Sequence, residues 1–207
     1  MKFFQIHAEN PQDRLIKQVV EVIRQGGVII YPTDSSYALG CRLADKSALD
    51  RIRRIRRLDD KHNFTLMCRD LSELGTFAKV NTAAFRLLKA YTPGPYTYIL
   101  HATREVPRMM MHPKRRTVGL RVPENPIAQA ILAELGEPLM SVSLIMPDSE
   151  DPLSDPYEIR DLLGHQVDLI IDGGYGGLEA STVVSFTEDE PEILREGSGD
   201  PEPFRNQ

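Results

Sequence analysis

Hydroxyl and guanidinium groups recur where apolar runs begin or end: Thr33 and Ser35 after VIIYP, Thr117 and Arg121 around VGL, Ser141 and Ser143 in MSVS, Ser181 and Thr182 before VV, and Arg195 after EIL. Such a set suits a ligand that must be positioned and have its charge neutralised. Hydroxyls donate and accept, and arginine's planar fork makes paired charge-assisted bonds to carboxylate or phosphate. The set supplies no activated nucleophile. The patterns GxxxxGK[ST], GxGxxG and GxSxG are absent, and His7, His62, His101, His112 and His165 lack metal-ligand spacing, which argues against serine hydrolase and metalloenzyme chemistry. Taken singly, a serine or threonine at a strand end satisfies local backbone, so only the combination carries weight.

The elements that must position these groups follow from periodicity. Pro32 has no N–H to give a ladder, so a strand over 28–31 stops there and opens into Thr33, Asp34, Ser35 and Ser36 at a sheet edge, where ligands are often held. Further strands are expected over 3–6, 64–68, 96–101, 118–122, 139–144, 169–172, 182–186 and 192–194. Apolar residues three and four apart predict a helix from near Pro11 to Gly26, and another capped by Asp45 with Ala48, Leu49, Ile52, Ile55 and Leu58 inward. Two more are expected over 82–91 and 126–135. This order is too irregular for a doubly wound repeat and implies an α/β fold with a mixed, twisted sheet and helices packed on it.

Composition bounds the rest. A chain of 207 residues suits one well-buried core, here a single domain over 1–207. With 25 basic and 30 acidic side chains and a net charge of −5, it is not a polycation that coats nucleic acid unselectively. Cys41 and Cys68 lie far apart in apolar settings, which excludes a disulfide framework and suggests a reducing compartment. No run reaches the length of a membrane span, and the first residues lack the apolar region of a signal peptide. A soluble, cytoplasmic protein is expected. The acidic TEDEPE stretch at 187–192 reads as a solvated turn, and the polar end after Gly197 as surface.

Six segments in order, YPTDSSYALG, YTPGPYTYIL, TVGLRVPENP, SVS, STVV and ILREG, resemble the YrdC-like threonylcarbamoyl-AMP synthase family, in its stand-alone YciO branch. The resemblance implies the YrdC fold, an open twisted mixed sheet with flanking helices and a concave ligand face. It also implies an activity that joins L-threonine, bicarbonate and ATP, with Mg²⁺, into L-threonylcarbamoyl-adenylate and pyrophosphate for tRNA modification. By the same resemblance Thr33, Ser141 and Ser181 match threonine contacts, with Ser35 beside them and Tyr37 closing one wall. Thr117, Ser143 and Arg195 match the nucleotide side, and Arg121 matches an arginine that pairs with a carboxylate.

Two departures stand out. The family's Lys-x-Arg pair has its nearest equivalents here in Arg54 and Arg56, joined by Lys61 and Asn63. Helical spacing turns Arg53, Arg54 and Arg57 away from the core, with Arg51 and Arg56 on its flanks. The family's Ser-x-Asn becomes Ser143-Leu144-Ile145, replacing an amide with a hydrocarbon that can neither donate nor accept. Loss of that amide points to nucleotide binding with weak or absent adenylate formation. The alternative is an RNA-binding protein without synthase activity, using the arginine helix with Arg104, Arg108, Lys114, Arg115 and Arg116 against phosphates. His62 reads as an exposed turn residue beside Lys61, and Met109 to Met111 as packing in a loop over the sheet.

Overall fold

The computed structural model describes residues 1–59 and 61–205; Asp60 in the arginine stretch and the last two residues of the polar end lie outside them. The strands are β1 (Lys2–Gln5), β2 (Ile29–Tyr31), β3 (Ala38–Arg42), β4 (Thr65–Met67), β5 (Tyr96–His101), β6 (Thr117–Arg121), β7 (Leu139–Ser143), β8 (Leu169–Asp172), β9 (Thr182–Ser185) and β10 (Glu192–Arg195). The helices are α1 (Asp13–Arg24), α2 (Lys46–Arg56), α3 (Leu71–Phe77), α4 (Thr82–Tyr91), α5 (Pro126–Leu135) and α6 (Pro156–Leu163). One open sheet runs in the order β1-β8-β2-β3-β7-β4-β6-β5-β9-β10 and mixes parallel pairs such as β4 with β6 and antiparallel pairs such as β3 with β7.

Three elements exceed the expectations from periodicity. β3 is the strand ALGCR, too poor in β-branched residues to be recognised, and it pairs antiparallel with both β2 and β7. α3 contains Gly75, and α6 starts at Pro156 behind an Asp155 cap whose side chain accepts from the Tyr157 N–H. The polar end also departs from expectation. Phe204 is buried against Tyr91, Tyr96, Tyr98 and Phe186, which straps the chain beyond β10 to the sheet.

Strand alternation sends side chains to two different environments. On one face Ile30, Leu39, Leu66, Tyr98, Leu120 and Ile170 join α2 residues Leu49, Ile52 and Ile55 with Leu74, Leu88 and Ile159 in the larger core. On the other face Ile29, Tyr31, Ala38, Leu139, Leu169 and Ile171 pack against Val19, Val20 and Ile23 of α1 and Ile127, Ile131 and Leu132 of α5. Those two helices cover the β8-β2-β3 end and reach only Leu139 at the start of β7 and Met67 at the end of β4. The rest of that face, from Ser141 of β7 across β4, β6, β5 and β9 to β10, is left open, and the site lies there.

Candidate functional site

Register explains the floor of the cleft. Ser141 pairs with Thr65, Thr65 with Gly119, Gly119 with Ile99, Ile99 with Ser185 and Ser185 with Glu192, so six strands point one row to the same side. A second row includes Met67 with Arg121 and Thr97 with Val183, which faces Arg195. All of these residues line a cleft of about 840 Å³, a volume typical of small-molecule sites. The floor is hydroxyl-rich. Thr97 Oγ1 lies 2.6 Å from Ser181 Oγ, and Tyr31 OH lies 2.6 Å from Ser141 Oγ, whose own proton goes to the Leu39 carbonyl at 3.2 Å. Burial holds the Tyr31 hydroxyl well above the ordinary phenol range, so it stays a neutral donor.

Basic side chains enter from several directions. Arg195 of β10 donates through Nε and Nη2 to the Ser181 carbonyl at 3.1 and 2.8 Å, and through Nη2 to Ser181 Oγ at 3.3 Å. Arg56, at the end of α2, donates through Nη1 to the Ser143 carbonyl, while its Nε is buried with no partner among the described residues. Arg121 of β6 is 5 % exposed; its Nη2 donates to Asp34, and its Nε is likewise buried with no partner among the described residues. Lys61 on the α2–β4 loop and Arg115 before β6 complete the set, against Glu188 and Glu192 at the β9–β10 rim. Burial pulls Arg56 and Arg195 below the usual guanidinium range, and at Arg195 the charge of Arg121 adds to it. An anion held between them relieves both effects.

The candidates from the sequence separate into two groups. Arg56, Lys61, Asn63, Thr117, Arg121, Ser141, Ser143, Ser181 and Arg195 line the cleft. Arg54, Thr33, Ser35 and Tyr37 stand away from it. Arg54 is exposed on the outer side of α2, while Arg51, on the other flank from Arg56, pairs with Asp168 at 2.7 Å. Thr33 Oγ1 caps its own turn, accepting from the Ser35 and Ser36 N–H groups and donating to the Ser36 carbonyl at 2.6 Å. Ser35 is sealed by the loop after β8, which approaches so closely that a Cβ on Gly177 would sit 1.7 Å from the Ser35 carbonyl oxygen. Tyr37 closes no wall of the cleft: its ring belongs to the core on the opposite face, and its hydroxyl donates to the Gly174 carbonyl at 2.7 Å and accepts from the Gly173 N–H at 3.0 Å.

What the PTDSS exit brings to the site is Asp34, named at the strand exit but not expected to pair with Arg121. Its Oδ1 takes the Arg121 guanidinium and its Oδ2 accepts the Glu124 N–H at 2.8 Å. Thr65, Thr97, Ser185 and the two rim glutamates were missed by sequence reasoning, although the alternation of polar and apolar residues along their strands carries the signal. Ile145 lines the cleft where the resemblance calls for an amide. Among the described residues no group of three or more His, Cys, Asp or Glu side chains is gathered to hold a metal ion, and no helix is long and apolar enough to cross a membrane.

Fold and site together define a mixed-sheet α/β protein with a basic, hydroxyl-floored cleft. The sequence profile of the Sua5/YciO/YrdC family, described as "Telomere recombination", matches residues 21–197, and the chain belongs to that family. It is 61% identical to "Uncharacterized protein YciO" of Escherichia coli (strain K12) over 98% of both chains. A crystal structure of E. coli YciO superposes with a TM-score of 0.96 at 60% identity, covering 99% of this chain and 100% of that one. A threonylcarbamoyl-AMP synthase of Vibrio vulnificus (strain YJ016) is 27% identical over 88% of this chain and 98% of its own. The crystal structure of P. abyssi Sua5 complexed with L-threonine matches with a TM-score of 0.87 at 26% identity, over 95% of this chain and 58% of that one.

Proposed function

We propose that the cleft binds ATP or an AMP-like nucleotide by its phosphates, with L-threonine beside it, and that the protein forms L-threonylcarbamoyl-adenylate from L-threonine, bicarbonate and ATP, releasing water as the amine joins bicarbonate and pyrophosphate as the carbamate joins the α-phosphorus. The observation that carries this reading is the convergence of Arg56, Lys61, Arg115, Arg121 and Arg195 over a floor of serine and threonine hydroxyls. Displacement of pyrophosphate at the α-phosphorus needs reactants held in line and developing phosphate charge neutralised, and no enzyme nucleophile. The buried Nε atoms of Arg56 and Arg121, without partners among the described residues, supply donors for that purpose. Distant relatives named threonylcarbamoyl-AMP synthase and a Sua5 structure holding L-threonine support the choice of reaction and amino acid.

Mg²⁺ fits as a passenger of the phosphates. It keeps several waters and takes one or two carboxylates plus phosphate oxygens, and the cleft offers Glu188 and Glu192 at its rim with no dedicated protein cage. When bound it offsets phosphate charge. Ile145 places a hydrocarbon in the cleft, so turnover is expected to be slow. The test is pyrophosphate release from L-threonine, bicarbonate and Mg·ATP, with threonine omitted as control. Threonine-dependent release that rises in Ile145→Asn is expected; no such release from either protein sinks the synthase reading.

A second reading, duplex RNA bound on the same basic surface, is favoured by one observation. Arg104, Arg108, Lys114, Arg115 and Arg116 are exposed and form no ion pair among the described residues, and Arg115 also lines the cleft.

A further inference from the structure

His62 stands on the α2–β4 loop, on the cleft wall between Lys61 and Asn63. Its ring meets the buried Phe64 edge to face, with centroids 6.0 Å apart, and its backbone N–H donates to the Asp59 carbonyl at 3.3 Å, so its place is set by packed neighbours. Among the described residues the imidazole itself has no hydrogen-bond partner. The other two cleft histidines are committed to backbone. His112 Nδ1 accepts the N–H groups of Lys114 and Arg115, which leaves its proton on Nε2, and His101 Nε2 lies 3.2 Å from the Thr187 carbonyl.

The charges that act on His62 come from both sides of the cleft. Among the described residues, Arg56 and Arg53 act from α2, Arg195 from β10, and the Asp59 carboxylate from the helix exit. We propose that His62 is a contact for the phosphates of the bound nucleotide and takes up a proton as they bind. The inference rests on the nucleotide reading and deepens it, since the ligand class it selects is a polyphosphate.

Among the described residues an imidazolium at His62 faces the guanidiniums of Arg56, Arg195 and Arg53 and the carboxylate of Asp59. The residue as a whole is exposed, yet the cleft walls thin the water around its ring; that desolvation first, and Arg56 and Arg195 next, hold its pKa below the ordinary histidine value. A polyphosphate seated between Arg56 and Arg195 reverses the balance, because several negative charges then favour the protonated ring and accept its N–H. Linkage fixes the sign. A pKa higher in the complex than in the free protein means that affinity rises as pH falls through the bound value and levels off below the free value. The group thereby adds positive charge only when a highly charged ligand is present, which favours pyrophosphate and triphosphate over singly charged anions.

The experiment titrates the intact protein with inorganic pyrophosphate and with Mg·ATP by calorimetry in buffers of different ionisation heat. The His62 ring signal is followed by NMR across pH with and without pyrophosphate. Net proton uptake beyond that of the ligand is expected, with the His62 titration moving upward in the complex. His62→Gln should lose the uptake and bind pyrophosphate more weakly, by a few-fold near pH 6 and up to about tenfold once pH falls below the free-protein value, as expected for a shift of about one unit, with the difference shrinking as pH rises. Equal uptake in parent and variant, or a His62 titration that does not move, overturns the inference while leaving the nucleotide reading intact. Failure of the parent to bind either ligand overturns both.

Discussion

Arg121 is the cleft cation most dependent on a single partner. It and Asp34 are 6 % and 8 % exposed at their side chains, and Asp34 is further held by the Glu124 N–H. Removing one member of such a pair leaves a buried charge uncompensated, a loss of about 3–5 kcal/mol. Asp34→Ala should therefore lower the free energy of unfolding by that order, and Asp34→Ala with Arg121→Met should cost less than the two single changes added. Urea unfolding of the three proteins measures this, and strict additivity would mean that the pair does not act as a unit. Arg121 was legible in the sequence because arginine at a strand end before Pro123 carries its own chemistry. Its partner was not, since the two residues lie 87 apart and meet only through the sheet order. Thr33 and Ser35 misled for the related reason that turn-forming hydroxyls have the same composition as ligand-binding ones.

Between elements, the decisive contact joins the chain beyond β10 to the segment before β9. A Cβ on Gly197 would lie 2.2 Å from the Ala180 carbonyl oxygen and 2.7 Å from that of Ser181, so glycine lets the two strands of backbone run close enough for Arg195 to reach Ser181. Gly197→Ala is expected to cost roughly 1–3 kcal/mol by overpacking and to weaken pyrophosphate binding by displacing Arg195. Gly75 in α3 gives the opposite sign. A Cβ there meets nothing within 4 Å, so Gly75→Ala should stabilise by about 0.5–1 kcal/mol through helix propensity alone. A Gly197→Ala unfolding midpoint that does not fall would refute the close-approach argument, and a Gly75→Ala midpoint that does not rise would refute the propensity argument. The long periodic helices and β-branched strands were legible because their local patterns agree with the fold. β3 was hidden by Gly40 and by its small residues, and α3 by Gly75, where tertiary packing decides against local propensity.

Across the whole molecule, a net charge of −5 coexists with a basic open face, because α1 and α5 cover one end of the sheet and leave the rest to Arg56, Arg121, Arg195 and the loop before β6. A phosphate backbone laid along Arg104, Arg108, Lys114, Arg115 and Arg116 would release counterions at each contact. Five such contacts give a slope of log affinity against log salt of roughly −3.5 to −4.5. A ligand confined to the cleft has no such extended array to engage, so its salt dependence should be shallower. Arg115 belongs to both surfaces, so pyrophosphate should displace duplex RNA, and Arg108→Ala should make the salt slope shallower by about one unit without relieving that competition. Fluorescence anisotropy with a labelled duplex, at several salt concentrations and with pyrophosphate as competitor, reads both quantities. A flat slope removes the RNA reading, whereas a steep slope with no displacement by pyrophosphate separates RNA from the cleft and places it on the loop alone.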